Sequence, residues 1–259
     1  MDDRYLRKIV LEDAIAHDRT YIRDLPVVRS LRERDGLGLC APVTFLVGEN
    51  GTGKSTLLEA VAVAWGFNPE GGSRNFTFST RETHAGLHRY IRLVRGAYRA
   101  KGGFFLRAES FYNVASEIDR IPGLYEDAYG GRSLHEQSHG ESFLALLQNR
   151  FHGHGFYVLD EPEAALSPSR QMAMLCVLRD LVQQGAQFLI ATHSPILTAL
   201  PGAQIYELDE NGMHECAYRD TQNYQLTRRF LENPERMLTY LFAEPPENKI
   251  GRASCRERV

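Results

Sequence analysis

The stretch GENGTGKST at residues 48–56 constrains the fold of this 259-residue chain more than any other segment. It follows the apolar run PVTFLV and precedes LLEAVAVAW, so a buried strand is expected before it and a helix after it. Glycines in such a turn let backbone N–H groups surround an anion at positions where side chains would clash. The positive end of the following helix points to the same place. The stretch therefore predicts a loop that binds the phosphates of a nucleoside triphosphate.

The loop fits the pattern G-x-x-x-x-G-K-[ST]. Lys54 is expected to reach the β- and γ-phosphates, and the Ser55 hydroxyl is expected to coordinate Mg²⁺. A glycine-rich turn that only caps a helix is the alternative, but the flanking strand and helix are the context that nucleotide binding requires. The predicted nucleotide contacts in this loop are Gly48, Glu49, Asn50, Gly51, Thr52, Gly53, Lys54, Ser55 and Thr56.

Two acids follow a second apolar run in FYVLDEPEAAL, residues 156–166. A buried parallel strand that ends in an acid presents it at the carboxyl edge of the sheet, so Asp160 is a candidate metal ligand. Glu161 would point in another direction, and it is a candidate to orient or deprotonate an attacking water. The alternative is a helix N-terminus with acids in its first turn, which Pro162 would suit.

A third apolar run, QFLIAT, leads to His193. A histidine at a strand end is more often structural than catalytic. One strand–helix unit separates His193 from the acids, however, so it would lie near the γ-phosphate if the two strands are neighbours. The predicted catalytic residues are therefore Lys54, Glu161 and His193.

The order of these motifs resembles that of the ABC-type ATPases, and in particular the soluble SMC- and RecF-like members and the stand-alone ATPases labelled as AAA family. The motifs are GENGTGKST, QSHGESF at residues 137–143, VLDEPEAALS and ATHSP. The likeness covers roughly residues 20–210. It implies an α/β P-loop NTPase fold: a mixed sheet flanked by helices, an N-terminal antiparallel β part and an inserted helical lobe over about residues 82–150. The predicted domain spans residues 1–248.

The segment QSHGESF matches the serine-glycine signature of that family only in part. Ser138, Gly140 and Glu141 take the positions of its serine, second glycine and following polar residue, whereas His139 replaces the first glycine. The resemblance implies that these three residues contact ATP held by another subunit. A serine cap on a helix, with Glu141 in its first turn, is compatible with that role. For the family's metal-contacting glutamine the candidate is Glu109, in FFLRAESFYN.

The resemblance also implies that one chain is half of an enzyme. Two copies would enclose two ATP molecules with Mg²⁺, and hydrolysis would release the dimer. The predicted function is an ATPase that switches an unidentified protein effector. Two alternatives stay open: the ATP-binding subunit of an ABC transporter, and a DNA-binding ATPase in repair or defence.

Composition favours a soluble, cytoplasmic protein. The formal net charge of -3 argues against a protein that coats nucleic acid by bulk charge. The acidic N-terminus lacks the apolar segment of a signal peptide, and no apolar run approaches the roughly 18 residues of a membrane helix. The four cysteines lie far apart, which is typical of reduced thiols rather than a disulfide framework or a zinc site.

The DNA-binding alternative depends on the basic stretch HRYIRLVRGAYRAK. A helix predicted over Thr83–Arg99 would place Arg89, Arg92, Arg95 and Arg99 on one face, since they are three or four residues apart. Such a stripe could follow phosphates. A basic face that only contacts water is the commoner outcome.

Two further features have two interpretations each. Tyr21 either stacks on adenine or packs against the N-terminal sheet. Residues 249–259, KIGRASCRERV, have no hydrophobic periodicity and are interpreted as an artefactual or disordered tail.

Overall fold

The computed structural model describes residues 4–18, 20–69, 71–72, 86–108, 111 and 139–243. Two sheets organise this part of the chain. The smaller is antiparallel, with the order β2-β1-β4. Its strands are β1 (Leu6–Leu11), β2 (Leu37–Gly38) and β4 (Ile91–Arg95).

The larger sheet has six strands in the order β5-β6-β7-β3-β8-β9. The first five run parallel, and β9 is antiparallel to β8. Strands β3, β6 and β7 are buried along their whole length, which explains why their sequences are continuous apolar runs. The strands are β3 (Val43–Gly48), β5 (Gly102–Arg107), β6 (Gly155–Asp160), β7 (Gln187–Ala191), β8 (Gln204–Asp209) and β9 (Gly212–Glu215).

Helices cover both faces of the large sheet. Successive side chains of a strand point to opposite faces, so Phe156 and Val158 pack with α2 and the antiparallel sheet, whereas Tyr157 and Leu159 pack with α3 and α4. The described helices are α1 (Pro26–Glu33), α2 (Lys54–Trp65), α3 (His139–Arg150), α4 (Pro168–Gln183), α5 (Gln222–Glu232) and α6 (Pro234–Phe242).

A buried glutamine joins the two sheets. The Gln187 side chain, at the start of β7, accepts hydrogen bonds from the backbone N–H groups of Tyr5 (2.8 Å) and Leu6 (2.9 Å). Its amide nitrogen donates to the carbonyl of Leu6 at 2.7 Å. All three contacts go to main-chain groups, so this residue, 2% exposed, fixes the position of β1 over the large sheet.

The predicted α/β fold is confirmed, including its mixed sheet and the antiparallel N-terminal part. The strand expected before the phosphate-binding loop and the helix expected after it are β3 and α2. Strands β8 and β9 form a hairpin whose two turn residues are Glu210 and Asn211, and the helical stretch after Thr221 breaks at Pro234 into α5 and α6. These two helices bury no side chain in the described structure.

The helix predicted over Thr83–Arg99 is wrong, because Ile91–Arg95 forms strand β4 and pairs with β1 over its whole length. The alternation in Tyr-Ile-Arg-Leu-Val and the β-branched residues fit a strand next to β1. A strand turns successive side chains to opposite faces, so the arginines three or four apart form no single stripe. The Arg95 guanidinium stacks on the Trp65 ring at 4.5 Å instead. The DNA-binding alternative loses the pattern that motivated it.

Parts of two predictions lie outside the described residues. About half of the helical lobe predicted over about 82–150 falls on such residues, and β4 and β5 inside that range belong to the two sheets. The tail at 249–259 also lies outside them. Among the residues that the structure describes, no helix is both long enough and apolar enough to cross a membrane.

Candidate nucleotide-binding site

The predicted phosphate-binding loop lies between β3 and α2, at the carboxyl edge of the large sheet. Two of its glycines are required by the fold. Gly48 has φ 124°, and a Cβ there would collide with the main chain of Leu208 on β8. Gly53 precedes α2 with φ 94°, and its Cβ would lie 2.6 Å from a methyl of Val27. These backbone conformations suit glycine and are unfavourable for other residues.

Lys54 is buried, although it carries a charge. Its Nζ donates hydrogen bonds to the loop carbonyls of Gly48 (2.8 Å) and Glu49 (2.7 Å). Burial lowers the pKa of the Lys54 ammonium, and nearby carboxylates, that of Glu161 first, act in the opposite direction. The positive charge therefore sits between the loop and a group of acids.

Asp160 reaches this loop from another strand. The Ser55 hydroxyl donates a hydrogen bond of 3.0 Å to Oδ1 of Asp160. The contact arises because β6 lies next to β7, and β7 lies next to β3. Both residues offer hard oxygen atoms beside a phosphate-binding loop, and Mg²⁺ takes one or two protein oxygens together with phosphates and waters. The two residues therefore fit Mg²⁺.

Arg107 is a charged neighbour of this pair that the sequence did not indicate. Its Nε lies 3.5 Å from Oδ2 of Asp160, and its Nη1 lies 2.9 Å from Oε2 of Glu59 on α2. Arg107 stands directly opposite Asp160 in the register of β5 and β6. The arginine thereby holds one carboxylate oxygen of Asp160, while the other faces Ser55.

Glu161 and His193 also meet at this edge. His193 Nε2 lies 3.5 Å from Oε1 of Glu161, because β6 and β7 are neighbours. Glu161 adopts a left-handed backbone with φ 50° and ψ 50°, which is uncommon for a residue other than glycine and recurs at active sites. Its N–H donates to the carbonyl of Ala191 at 2.9 Å. The short helix considered as an alternative is present as a 3₁₀ turn, Pro162–Ala165, directly after Glu161.

An open cleft of about 240 Å³ lies against the loop. Asn50, Gly51 and Thr56 line it together with Tyr21 and Glu161. Tyr21 is 67% exposed, so its ring does not pack into the protein as one of the two interpretations expected.

The remaining predicted residues do not all meet at this cleft. Gly140 and Glu141 begin α3, where Glu141 forms an ion pair with Arg170 at 3.1 Å. A Cβ on Gly140 would collide with Arg170 and with the carbonyl of Ala165. Two other predicted residues, Ser138 and Glu109, lie outside the described part of the chain.

Part of the chain matches a known family model. Residues 28–119, more than a third of the chain, match a family model described as an AAA domain. The match confirms the resemblance to AAA-family ATPases that the motifs predicted. A search of curated proteins finds no match.

Three solved structures are similar to the chain. The SMC head domain from Thermotoga maritima is 16% identical with a TM-score of 0.44, over 82% of this chain and 98% of that one. An ATP-binding cassette of an ABC transporter is 16% identical with a TM-score of 0.44, over 91% and 98%. A metal-chelate type ABC transporter is 18% identical with a TM-score of 0.46, over 72% and 76%.

Proposed function

We propose that this chain binds ATP with Mg²⁺ and hydrolyses it. The proposal rests on one observation: the buried Lys54, the Ser55–Asp160 pair and the Glu161–His193 pair converge on one edge of the sheet from three strands. A P-loop beside two carboxylates and a histidine is the arrangement that phosphoryl transfer to water requires.

Each group has a separate role in this proposal. Backbone N–H groups of residues 48–56 and the Lys54 ammonium bind the phosphates. Ser55 and Asp160 would hold Mg²⁺, which neutralises phosphate charge when it is bound. Glu161 accepts a proton from water or orients it, and His193 lies within 3.5 Å of that carboxylate.

Tyr21 completes the nucleotide site in the proposal. Its exposed ring borders the same cleft as Asn50 and Gly51. An aromatic face next to a phosphate loop can stack on a nucleobase, and any base offers such a surface. We therefore assign Tyr21 to the base of the nucleotide, without a preference between adenine and guanine.

The proposal extends to a dimer that acts as a switch on a protein effector. Glu141 is exposed at the start of α3, in the segment that the motif order assigns to ATP on a second copy. ATP bound between two copies would hold them together, and its hydrolysis would let them separate. The transporter-subunit and DNA-binding alternatives gain no specific support from the described residues.

The experiment compares three purified proteins: the natural chain, Lys54→Ala and Glu161→Gln. We expect Mg²⁺-dependent phosphate release from the first. Loss of a charge-assisted contact should weaken ATP binding of Lys54→Ala by roughly 10- to 100-fold. Glu161→Gln should keep ATP affinity but lose turnover by about 10²-fold or more, since it removes the base. With ATP and Mg²⁺ it should elute as a dimer.

Glu210→Gln is the matched control, because Glu210 is an exposed glutamate in the β8–β9 turn. Glu210→Gln should match the natural chain in ATP affinity, in phosphate release and in elution volume. Unchanged ATP affinity and turnover in Lys54→Ala would overturn the proposed function. A monomeric Glu161→Gln with ATP and Mg²⁺ would overturn the dimer alone.

A further inference from the structure

Glu163 binds the main chain and side chain of the segment that carries His193. Its Oε1 accepts a hydrogen bond of 2.5 Å from the backbone N–H of His193. Its Oε2 accepts a hydrogen bond of 2.7 Å from the hydroxyl of Thr192. Both carboxylate oxygens are thus used by two consecutive residues of another loop. Hydrogen bonds to a charged acceptor are among the strong ones.

The two loops follow neighbouring parallel strands. Glu163 lies in the 3₁₀ turn after β6, and Thr192 and His193 come directly after β7. Thr192 is fully buried, and Glu163 is half-buried. The Glu163 side chain therefore joins the loop of the acids to the loop of the histidine in a protected environment.

The backbone carbonyl of His193 is held by a side chain of helix α5. Its carbonyl accepts a hydrogen bond of 3.1 Å from the side-chain amide of Asn223 on α5. Further along the segment, Ser194 donates to the Gln171 side chain at 2.6 Å, and Gln171 donates to the carbonyl of Leu166 at 3.0 Å. Side chains from two other segments thus hold the backbone of His193, and a third segment holds the side chain of Ser194.

We infer that Glu163 is a positioning residue of this site, which acts on the reaction through His193. This rests on the proposed function, since it assigns a consequence for ATP hydrolysis. A carboxylate on the His193 N–H limits the backbone angles of that residue, and the ring is held 3.5 Å from Glu161. Small misplacements of a catalytic group cost large factors in rate. Among the described residues, the hydrogen bonds of the Glu163 carboxylate go to Thr192 and His193, and its charge acts on the Lys54 ammonium without a hydrogen bond.

The first test measures the hydrogen bond between Glu163 and the His193 N–H in the absence of nucleotide. Amide hydrogen exchange of His193 is compared between the natural chain, Glu163→Ala and Glu163→Gln. Because the His193 N–H donates to Glu163, its exchange should become about tenfold faster or more in Glu163→Ala. Glu163→Gln keeps one oxygen acceptor, so the amide of His193 should exchange at a rate between those of the natural chain and Glu163→Ala. Thermal melts identify any variant that does not fold, and Glu210→Ala is the exposed control.

The second test separates positioning from general stability by a double-mutant cycle with His193→Ala. Glu163→Ala should lower kcat by about the same factor as His193→Ala, with ATP affinity within about twofold of the natural chain. The double variant should be no slower than His193→Ala alone. A glutamate that only stabilised the fold would instead lower kcat by a further factor in the His193→Ala background.

Three results would overturn the inference. They are unchanged exchange at His193 in Glu163→Ala, an unchanged kcat in that variant while the natural chain hydrolyses ATP, and losses that multiply in the double variant. If the natural chain hydrolyses no ATP, the proposed function and the catalytic consequence fail together. The exchange measurement still decides whether Glu163 fixes the segment.

Discussion

The Ser55 hydroxyl lies 3.0 Å from Oδ1 of Asp160, although 105 positions separate the two residues in the chain. The contact follows from strand order, since β7 lies between β3 and β6 and all three run parallel. Parallel strands present their carboxyl ends at one edge, which is where open α/β sheets bind ligands. Two oxygens contributed by distant segments therefore meet at this edge of the sheet.

Asp160→Asn should raise the Mg²⁺ concentration that tight ATP binding requires by about tenfold or more. The change keeps the size of the side chain but removes the negative charge that a hard cation prefers. The measurement is ATP affinity at several Mg²⁺ concentrations. Asp180→Asn, at an exposed position of α4, is the control and should leave the Mg²⁺ dependence unaltered. Equal Mg²⁺ dependence in both variants would exclude Asp160 as a ligand.

ATP affinity should fall at alkaline pH, because the Lys54 ammonium loses its proton there. Burial lowers the pKa of the Lys54 ammonium below its ordinary value of 10.5 in the folded chain. The ammonium that phosphates need is therefore lost as the pH rises through that lowered value, before an ordinary lysine would lose its proton. Burial of the charged ammonium also lowers the free energy of unfolding at neutral pH. The free energy of unfolding should therefore rise as the pH increases from the lowered pKa of the folded chain towards 10.5, the value in the unfolded chain.

The measurement for Lys54 is ATP affinity between pH 7 and pH 10, at fixed ionic strength. Affinity should be flat near neutrality and should fall towards pH 10. Lys54→Arg keeps its charge throughout this range, so whatever affinity it retains should not fall in the same way. Affinity that is constant up to pH 10 in the natural chain would contradict the lowered pKa.

Gln187→Leu should lower the free energy of unfolding by about 2–4 kcal/mol. The change leaves three buried main-chain groups of Tyr5 and Leu6 without their partner, and each unsatisfied group costs about 1–3 kcal/mol before relaxation. Urea denaturation followed by circular dichroism measures the loss. Gln183→Leu, at an exposed position near the end of α4, should change stability by less than about 0.5 kcal/mol.

The parts of the fold that could be predicted are those that local signals specify. The phosphate-binding loop has its residues within one stretch, and β3, β6 and β7 are continuous apolar runs because helices and the small sheet cover both their faces. Asp160, Glu161 and His193 follow such runs, so their common edge could be expected once a parallel sheet was assumed.

The features that the sequence did not predict depend on contacts between distant parts of the chain. The sequence around β4 predicts a helix because the arginine spacing fits one, whereas the strand depends on pairing with β1, which lies 80 or more positions away. Arg107 is opposite Asp160 only in the register of β5 and β6. Glu163 was visible in DEPEAAL, but its partners Thr192 and His193 lie about 30 positions away. Such contacts depend on tertiary structure, which no local pattern specifies.

Cys216 should react slowly with thiol reagents. Burial, followed by the nearby Glu207 carboxylate, raises the pKa of its thiol from 9.0 to about 11. The thiolate is the reactive form, so its fraction at pH 8 should be about 100-fold lower than for an ordinary thiol. Mass spectrometry after timed iodoacetamide treatment should find Cys40 and Cys176, which are exposed, modified first. The rate at Cys216 should keep rising up to about pH 11, and a plateau near pH 9 would contradict the raised pKa.

Tyr21→Ala should weaken ATP binding, whereas Tyr21→Phe should bind ATP like the natural chain. Stacking of a base on an aromatic ring contributes about 1–3 kcal/mol, which corresponds to a loss of roughly 5- to 100-fold when the ring is removed. Phenylalanine keeps the ring and loses only the hydroxyl, so the pair of variants separates stacking from hydrogen bonding. Tyr240→Ala, at another exposed tyrosine on α6, should leave affinity unchanged. Inorganic triphosphate lacks a base, so its binding should be equal in all four proteins. An equal loss of ATP and triphosphate binding in Tyr21→Ala would show that the ring supports the loop at residues 48–56 and does not contact the base.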